Sequence, residues 1–192
     1  IGLVGLGRVG SRVAELLAPW RVRLLACDPY VDNAKFLTCN AERVDLETLL
    51  VEADVISLHC NLTAETRGLI NRETLALTQS SAILINTCRG AVVETDALCD
   101  SLEVGGLASA AIDVLPEEPP LADSRIVGMG DKVLLSPHMI SANVPGTLVP
   151  AIPWATEATL AALRGEVPDH VCNGEAIPLW LERFGSSPLL SR

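Results

Sequence analysis

Apolar residues in this chain come in short unbroken runs, separated by stretches where they recur every three or four positions. The runs predict strands over residues 1–4, 23–27, 55–59, 82–86, 108–113 and 133–136. A strand with one wet face would alternate apolar and polar side chains. A run such as Ala82-Ile83-Leu84-Ile85 instead suits a strand covered on both faces. The intervening stretches predict helices over residues 9–18, 46–52, 72–77, 95–103 and 146–164, with Asp45 and Asn71 as N-caps. Pro150 and Pro153 fall in the last of these, which should therefore kink or start late. Strand and helix in regular alternation imply an α/β fold, a doubly wound parallel sheet with helices on both faces.

Composition narrows the function classes. With 192 residues, 49% of them hydrophobic, and a mean hydropathy of +0.36, the chain can bury the core of an ordinary domain. Its 14 basic residues against 24 acidic ones give a net charge of -10 with no basic cluster, so a nucleic-acid partner is not expected. The apolar runs are far shorter than the roughly 20 residues that span a bilayer, so no membrane partner is expected either. None of the six cysteines forms a C-x-x-C pair or has a histidine at ligand spacing beside it. No metal is therefore expected, and free thiols point to a reducing cytoplasm. Cys27 and Cys60 end apolar runs and are read as small hydrophobes in buried strands.

The first candidate for chemistry is Gly5-Leu6-Gly7-Arg8-Val9-Gly10, directly after the first strand and opening a helix. Gly5 permits a tight turn, Gly7 lets backbone approach a pyrophosphate, and Gly10 allows close packing of helix on sheet. The helix start, with Arg8 and Val9, offers free N–H groups and the positive end of its dipole to an anion. Asp28, ending the second strand before Pro29, can accept hydrogen bonds from ribose hydroxyls. No Arg or Lys follows in Pro29-Tyr30-Val31-Asp32 to neutralise a 2′-phosphate, which favours NAD over NADP. Arg89 lies just past the fourth strand, where a ligand would sit. By position alone it is either a clamp for a substrate carboxylate or a solvated loop side chain. His138 follows the last strand and suits proton exchange with a hydroxyl or carbonyl oxygen, with Glu118 as a partner that would fix its tautomer.

The G-x-G-x-x-G turn, Asn86-Thr87-Cys88-Arg89-Gly90, Asp113-Val114-Leu115-Pro116-Glu117-Glu118-Pro119 and Pro137-His138 occur in an order and spacing that resembles the D-isomer-specific 2-hydroxyacid dehydrogenase family. The resemblance implies a Rossmann domain that binds NAD and exchanges a hydride with a D-2-hydroxy acid or 2-keto acid. It assigns the carboxylate to Arg89 and the proton to His138, and pairs Glu118 rather than Glu117 with the histidine. It adds Pro29, Cys60, Thr66, Thr87, Cys88, Arg89, Asp113 and His138 to the cofactor's surroundings, with Asp113 near the nicotinamide carboxamide. His59 is either packed or adjacent to the cofactor, and His170 has no role. Two departures stand out. Asn61 replaces a usual proline, and Met139-Ile140-Ser141-Ala142 replaces a small, glycine-containing run.

Family members carry a separate substrate domain ahead of this one, whereas Ile1 already lies in the first strand. The expectation is therefore an excised dinucleotide-binding domain over residues 1–172 and a tail over 173–192. That tail would return toward the substrate domain, with Leu179, Trp180, Leu181 and Phe184 as apolar surface. A homodimer is expected. Asp-Pro-Tyr after the second strand is similar to 3-phosphoglycerate dehydrogenases and to C-terminal-binding corepressors, so the alternative is an NAD-responsive scaffold with incidental turnover.

Overall fold

The computed structural model describes residues 1–140 and 151–185. The chain divides into two compact units, Ile1–Ile140 and Ser141–Arg192, a division that falls before the boundary expected after residue 172.

The first unit is a seven-stranded sheet, all parallel, in the order β3-β2-β1-β4-β5-β6-β7. Its strands are β1 (Gly2–Val4), β2 (Leu25–Cys27), β3 (Glu42–Arg43), β4 (Val55–Leu58), β5 (Ile83–Asn86), β6 (Ser109–Ile112) and β7 (Val133–Leu135). Its helices are α1 (Arg8–Leu17), α2 (Asn33–Thr38), α3 (Leu46–Glu52), α4 (Arg72–Leu75) and α5 (Thr95–Val104). Alternating side chains send Leu3 and Ala26 toward Ala14 of α1 and Phe36 of α2. Val4, Leu25, Ile56 and Leu84 join Leu49 of α3 and Leu98 of α5 in a second, larger cluster. Burial on both faces holds at β1 and β2, whereas in β5, whose apolar run suited a strand covered on both faces, Leu84 is buried but Ile83 is 38% exposed and Ile85 is half-buried.

Register does the positioning. Cys27, Val4, Leu58, Asn86, Ile112 and Leu135 form one row across the sheet. The residues that follow, Asp28, Gly5, His59, Thr87, Asp113 and Ser136, therefore emerge side by side at the carboxyl edge. The strand order reverses between β1 and β4, which is where open sheets of this kind leave a crevice for a ligand.

All six predicted strands are present, and α3 has the predicted bounds. β3 and α2 escape the hydrophobic pattern. β3 is a two-residue edge strand of exposed Glu42 and Arg43, and α2 buries only Phe36. Asp45 caps α3 by accepting from the Thr48 N–H at 2.8 Å. Asn71 caps α4 as half of a capping box: its Oδ1 accepts from the Glu73 and Thr74 N–H groups, and Thr74 Oγ1 accepts from the Asn71 N–H. Replacing Asn71 by alanine is expected to cost about 1 kcal/mol of stability. Urea unfolding would show it as a lower midpoint at unchanged slope, and an unchanged midpoint would refute it.

In the second unit, α6 (Ile152–Leu163) begins with Pro153 in its first turn, the late start that proline dictates. Pro150 and the rest of the predicted helix over 146–150 lie outside the described residues. The tail contains a helix the sequence reading did not anticipate, α7 (Ile177–Phe184). On it Trp180 packs against Phe184 at 5.9 Å between ring centroids, while Leu179 is 69% exposed.

Candidate active site

The glycine-rich turn is built as its residue types require. Gly5 has φ +98°, and a Cβ on Gly10 would stand 2.1 Å from the Gly5 carbonyl oxygen, so only glycine lets α1 start against the end of β1. Among the described residues, a Cβ at Gly7 would meet nothing within 4 Å beyond its chain neighbours. The space in front of it belongs to whatever approaches from outside. The start of α1 has no capping side chain, so its first N–H groups face that space unpaired.

From this turn runs a groove of about 730 Å³, lined among others by Arg8, Val9, Asp28, Pro29, Cys60 and Thr66. Asp28 is anchored within it. Its Oδ2 accepts from the Leu6 N–H at 2.8 Å and its Oδ1 from the Tyr30 N–H at 2.9 Å, which fixes the carboxylate and leaves a lone pair on each oxygen for a ligand. Asp28 is thus both a turn residue and part of the groove wall. Glu65, which accepts from the Tyr30 hydroxyl, adds a second carboxylate to that wall. Against these two acids Arg8 is the only Lys or Arg among the described lining residues.

The groove continues past β4 and β5 into a cavity of about 430 Å³ lined by Val9, His59, Cys60, Thr87, Cys88 and Arg89, among others. His59 Nε2 and Ser57 Oγ are 3.0 Å apart, and burial pushes the imidazole's pKa down, so it is neutral near pH 7. Cys27 and Cys60, expected inside buried strands, are instead half-buried groove residues, because they sit at the open carboxyl edge.

A third cavity, of about 240 Å³, brings Arg89, Glu118 and His138 together. Each arrives from a different strand end, and the contacts between those ends are specific. Asn86, 1% exposed at the end of β5, holds the next loop: its Nδ2 donates to the Arg89 carbonyl at 3.1 Å and its Oδ1 accepts from the Cys88 N–H at 3.1 Å. The Gly90 backbone then passes so close to Leu115 that a Cβ would lie 2.0 Å from the Leu115 carbonyl carbon. That approach sets Arg89 beside the loop carrying Glu118. Glu118 Oε1 accepts from the Leu115 N–H at 2.8 Å, and its Oε2 accepts from His138 Nδ1 at 2.8 Å. These bonds, that of His138 foremost, hold the Glu118 carboxyl below its ordinary range. With Nδ1–H committed to the carboxylate, Nε2 is the nitrogen left for other chemistry.

His138 has φ +53°, a left-handed backbone unusual outside glycine. Asp113 holds it there. Its carbonyl accepts from the His138 N–H at 2.8 Å, and its buried carboxylate accepts from the Ser136 hydroxyl and from the Met139 and Ile140 N–H groups. Burial pushes the Asp113 carboxyl up, yet the three donors outweigh it and the net shift is downward. The expected contact of Asp113 with a carboxamide thus competes with a full set of protein donors. Ser141 and Ala142, where the sequence departs from the family run, lie outside the described residues.

Sequence reading placed Asn86 in a motif but missed its clamp on the Arg89 loop, and it missed Ser136 and Glu65 altogether. A polar residue ending an apolar strand was the available signal for Asn86, since a buried amide must find partners. Nothing local marks Ser136 or Glu65, whose partners lie 23 and 35 positions away.

The sequence model of the D-isomer specific 2-hydroxyacid dehydrogenase NAD binding domain matches residues 1–139. A glyoxylate reductase of Thermofilum pendens is 40% identical over 182 residues, 92% of this chain and 52% of that protein. A D-3-phosphoglycerate dehydrogenase of Mycobacterium bovis is 37% identical over 188 residues, 95% of this chain and 35% of its own length. The crystal structure of D-lactate dehydrogenase from Aquifex aeolicus, complexed with NAD and lactic acid, superposes with a TM-score of 0.78 at 30% identity, covering 86% of this chain and 53% of that one. The chain spans about half the length, or less, of these curated relatives.

Proposed function

The chain belongs to the D-isomer-specific 2-hydroxyacid dehydrogenases, and from that membership we propose that it is the dinucleotide-binding part of an NAD-dependent oxidoreductase acting on a D-2-hydroxy acid and its 2-keto acid. The observation that carries this reading is the convergence of Arg89, Glu118 and His138 in one cleft adjoining the groove. NAD, when bound, supplies the hydride acceptor or donor.

The described residues fit that group. The uncapped start of α1 and the open space at Gly7 suit a pyrophosphate, and Asp28 suits ribose hydroxyls. Arg89 holds the substrate carboxylate with paired N–H donors and polarises the neighbouring carbonyl. His138 Nε2 takes the hydroxyl proton during oxidation and returns it during reduction. Glu118 fixes the tautomer. Asp113 and Ser136 position His138, and Asn86 positions Arg89. A second domain, of the kind that precedes this one in the family, closes the cleft and excludes water. The proposed setting is a reducing cytoplasm, which suits six free thiols, and the proposed assembly is a homodimer, to be checked by sedimentation of the whole protein.

Two acids in the groove wall set the cofactor. NADH is expected to bind at least about tenfold more tightly than NADPH, a difference of roughly 1.4 kcal/mol, and Asp28→Ala should narrow the gap. Fluorescence titration of both nucleotides decides it, and equal affinities in the unaltered protein would sink the assignment. A panel of 2-keto acids including glyoxylate and pyruvate, assayed by NADH oxidation in the whole protein, tests the reaction. No turnover on any member would defeat it.

A further inference from the structure

Two thiols lie next to each other where the groove meets the catalytic cleft. β4 and β5 pair with Leu58 opposite Asn86, and each strand is followed two residues later by a cysteine, Cys60 and Cys88. Adjacent strands run about 4.8 Å apart, within the span of about 4.4–6.8 Å between Cα atoms that a disulfide bridges. Both side chains are half-buried and line the same cavity with Thr87 and Arg89, and the Cys88 thiol donates to Asn86 Oδ1 at 3.2 Å. The proposed hydride chemistry uses neither thiol.

We propose that Cys60 and Cys88 form a thiol-modification site, which a low-molecular-weight disulfide converts to an intramolecular disulfide that closes the nicotinamide end of the groove to NAD(H). The occlusion rests on the function proposed above, whereas the pairing of the thiols does not.

The chemistry assigns the two sulfurs different parts. Cys88 is the attacking thiol. The neighbouring Cys60 thiol and backbone N–H groups bring its pKa down against the effect of burial. A lowered pKa raises the share of the nucleophilic thiolate. It displaces one thiolate from the external disulfide, which leaves as a free thiol, and becomes a mixed disulfide. Cys60 keeps its proton at first, because the neighbouring Cys88 thiol and burial push its pKa up. Once the Cys88 sulfur is bonded to another sulfur, the influence of its charge is gone. Cys60 then gives its proton to solvent as its sulfur attacks the Cys88 sulfur and expels the second thiolate. Two protein S–H groups are oxidised, one external disulfide is reduced, and two external thiols leave with the two protons.

The groups facing the pair are His59 from the end of β4, Arg89 from the loop after β5, and the carboxylate of Asp28. Arg89 favours the Cys88 thiolate and Asp28 opposes ionisation of Cys60, which keeps the roles distinct. Cys39 and Cys99 are buried, and burial pushes the Cys27 thiol up, so Cys172, which is exposed, is the competitor to remove. The new bond would tie the turn at His59 and Asn61 to the loop at Thr87 and Arg89, across the wall that the nicotinamide end of the cofactor would contact. By linkage, bound NADH should in turn disfavour the disulfide at equilibrium.

The test uses the full chain carrying Cys172→Ser, treated with oxidised glutathione, digested without reduction and mapped by mass. NADH affinity is measured by fluorescence before oxidation, after it, and after dithiothreitol. The expected result is a Cys60–Cys88 linked peptide, NADH affinity weakened about tenfold or more, and recovery on reduction. Cys60→Ser should stop the reaction at a mixed disulfide on Cys88. Separate glutathione adducts with no linked peptide would overturn the proposal, as would a linked peptide that leaves NADH affinity unchanged. If the reduced chain bound no NADH, the proposed function would fall, while the mapped peptides would still decide the pairing.

Discussion

Replacing His138 by alanine is expected to lower kcat by about a hundredfold or more in the whole protein, the usual scale for losing a positioned general acid–base. The geometry argues for an effect on turnover rather than on binding alone. Glu118 accepts the Nδ1 proton at 2.8 Å, so the imidazole presents Nε2 toward the cleft that Arg89 shares. Proton exchange at that nitrogen matters only as the substrate oxygen gains or loses charge, so its loss falls on kcat more than on KM. Glu118→Gln gives the complementary test. The carboxylate accepts from Nδ1 and so keeps Nε2 turned to the cleft, whereas an amide can turn its N–H group to Nδ1 and leave the ring in the other tautomer. In Glu118→Gln, kcat should therefore fall about tenfold or more, with a smaller change in KM. Glu118 itself, held below the ordinary carboxyl range, stays ionised through mild acid. Full kcat in His138→Ala, or in Glu118→Gln, would remove the pair from the reaction.

What the sequence could reveal of this fold followed from how much surface each element buries. β1, β4, β5 and β6 carry mostly apolar residues, among which Leu3, Ile56, Leu84 and Ala110 are buried, and Leu49 and Leu50 tie α3 to the core strongly enough to mark its bounds. β3 is held by pairing with β2 at Leu25 and Glu42 and carries no apolar signal, since backbone hydrogen bonds are indifferent to side chains. α2 leaves the same small trace, one buried phenylalanine in six residues. α7 follows Gly174 and opens with Pro178, which reads as a loop in isolation although proline is well placed in a first helical turn.

The site divides along similar lines. Residues in a short spacing pattern, from Gly5 to Gly10 and from Asn86 to Gly90, were legible because a tight turn or a strand end constrains neighbours in sequence. Their supports were not. Nothing near Asp113 discloses that its carboxylate takes a hydroxyl and two N–H groups from a loop 23 to 27 residues away. The close approach of Gly90 to Leu115 is equally a product of register between β5 and β6. Long-range satisfaction of buried polar groups is decided by the sheet, and the sheet is assembled from elements whose order along the chain does not state their order in space.

Replacing Arg89 by alanine is expected to lower kcat/KM for the keto acid by about a hundredfold or more, near the scale seen when a single donor to developing charge is removed. One donor of the guanidinium is already spoken for, since Nη1 donates to the Cys88 carbonyl at 2.6 Å. That bond, with the Asn86 clamp on the Arg89 carbonyl, fixes the direction of the group before substrate arrives, which lowers the entropy lost on binding. The remaining N–H groups keep the fork needed to grip a carboxylate with two bonds. Lysine keeps the charge but offers no planar fork, so Arg89→Lys should recover only a small part of the loss. The two measured constants separate the contributions. A carboxylate contact present throughout raises KM when lost, whereas polarisation of the carbonyl strengthens toward the transition state and lowers kcat. Both should change. Unaltered kcat/KM in Arg89→Ala, or full recovery in Arg89→Lys, would show that the guanidinium does not hold the substrate.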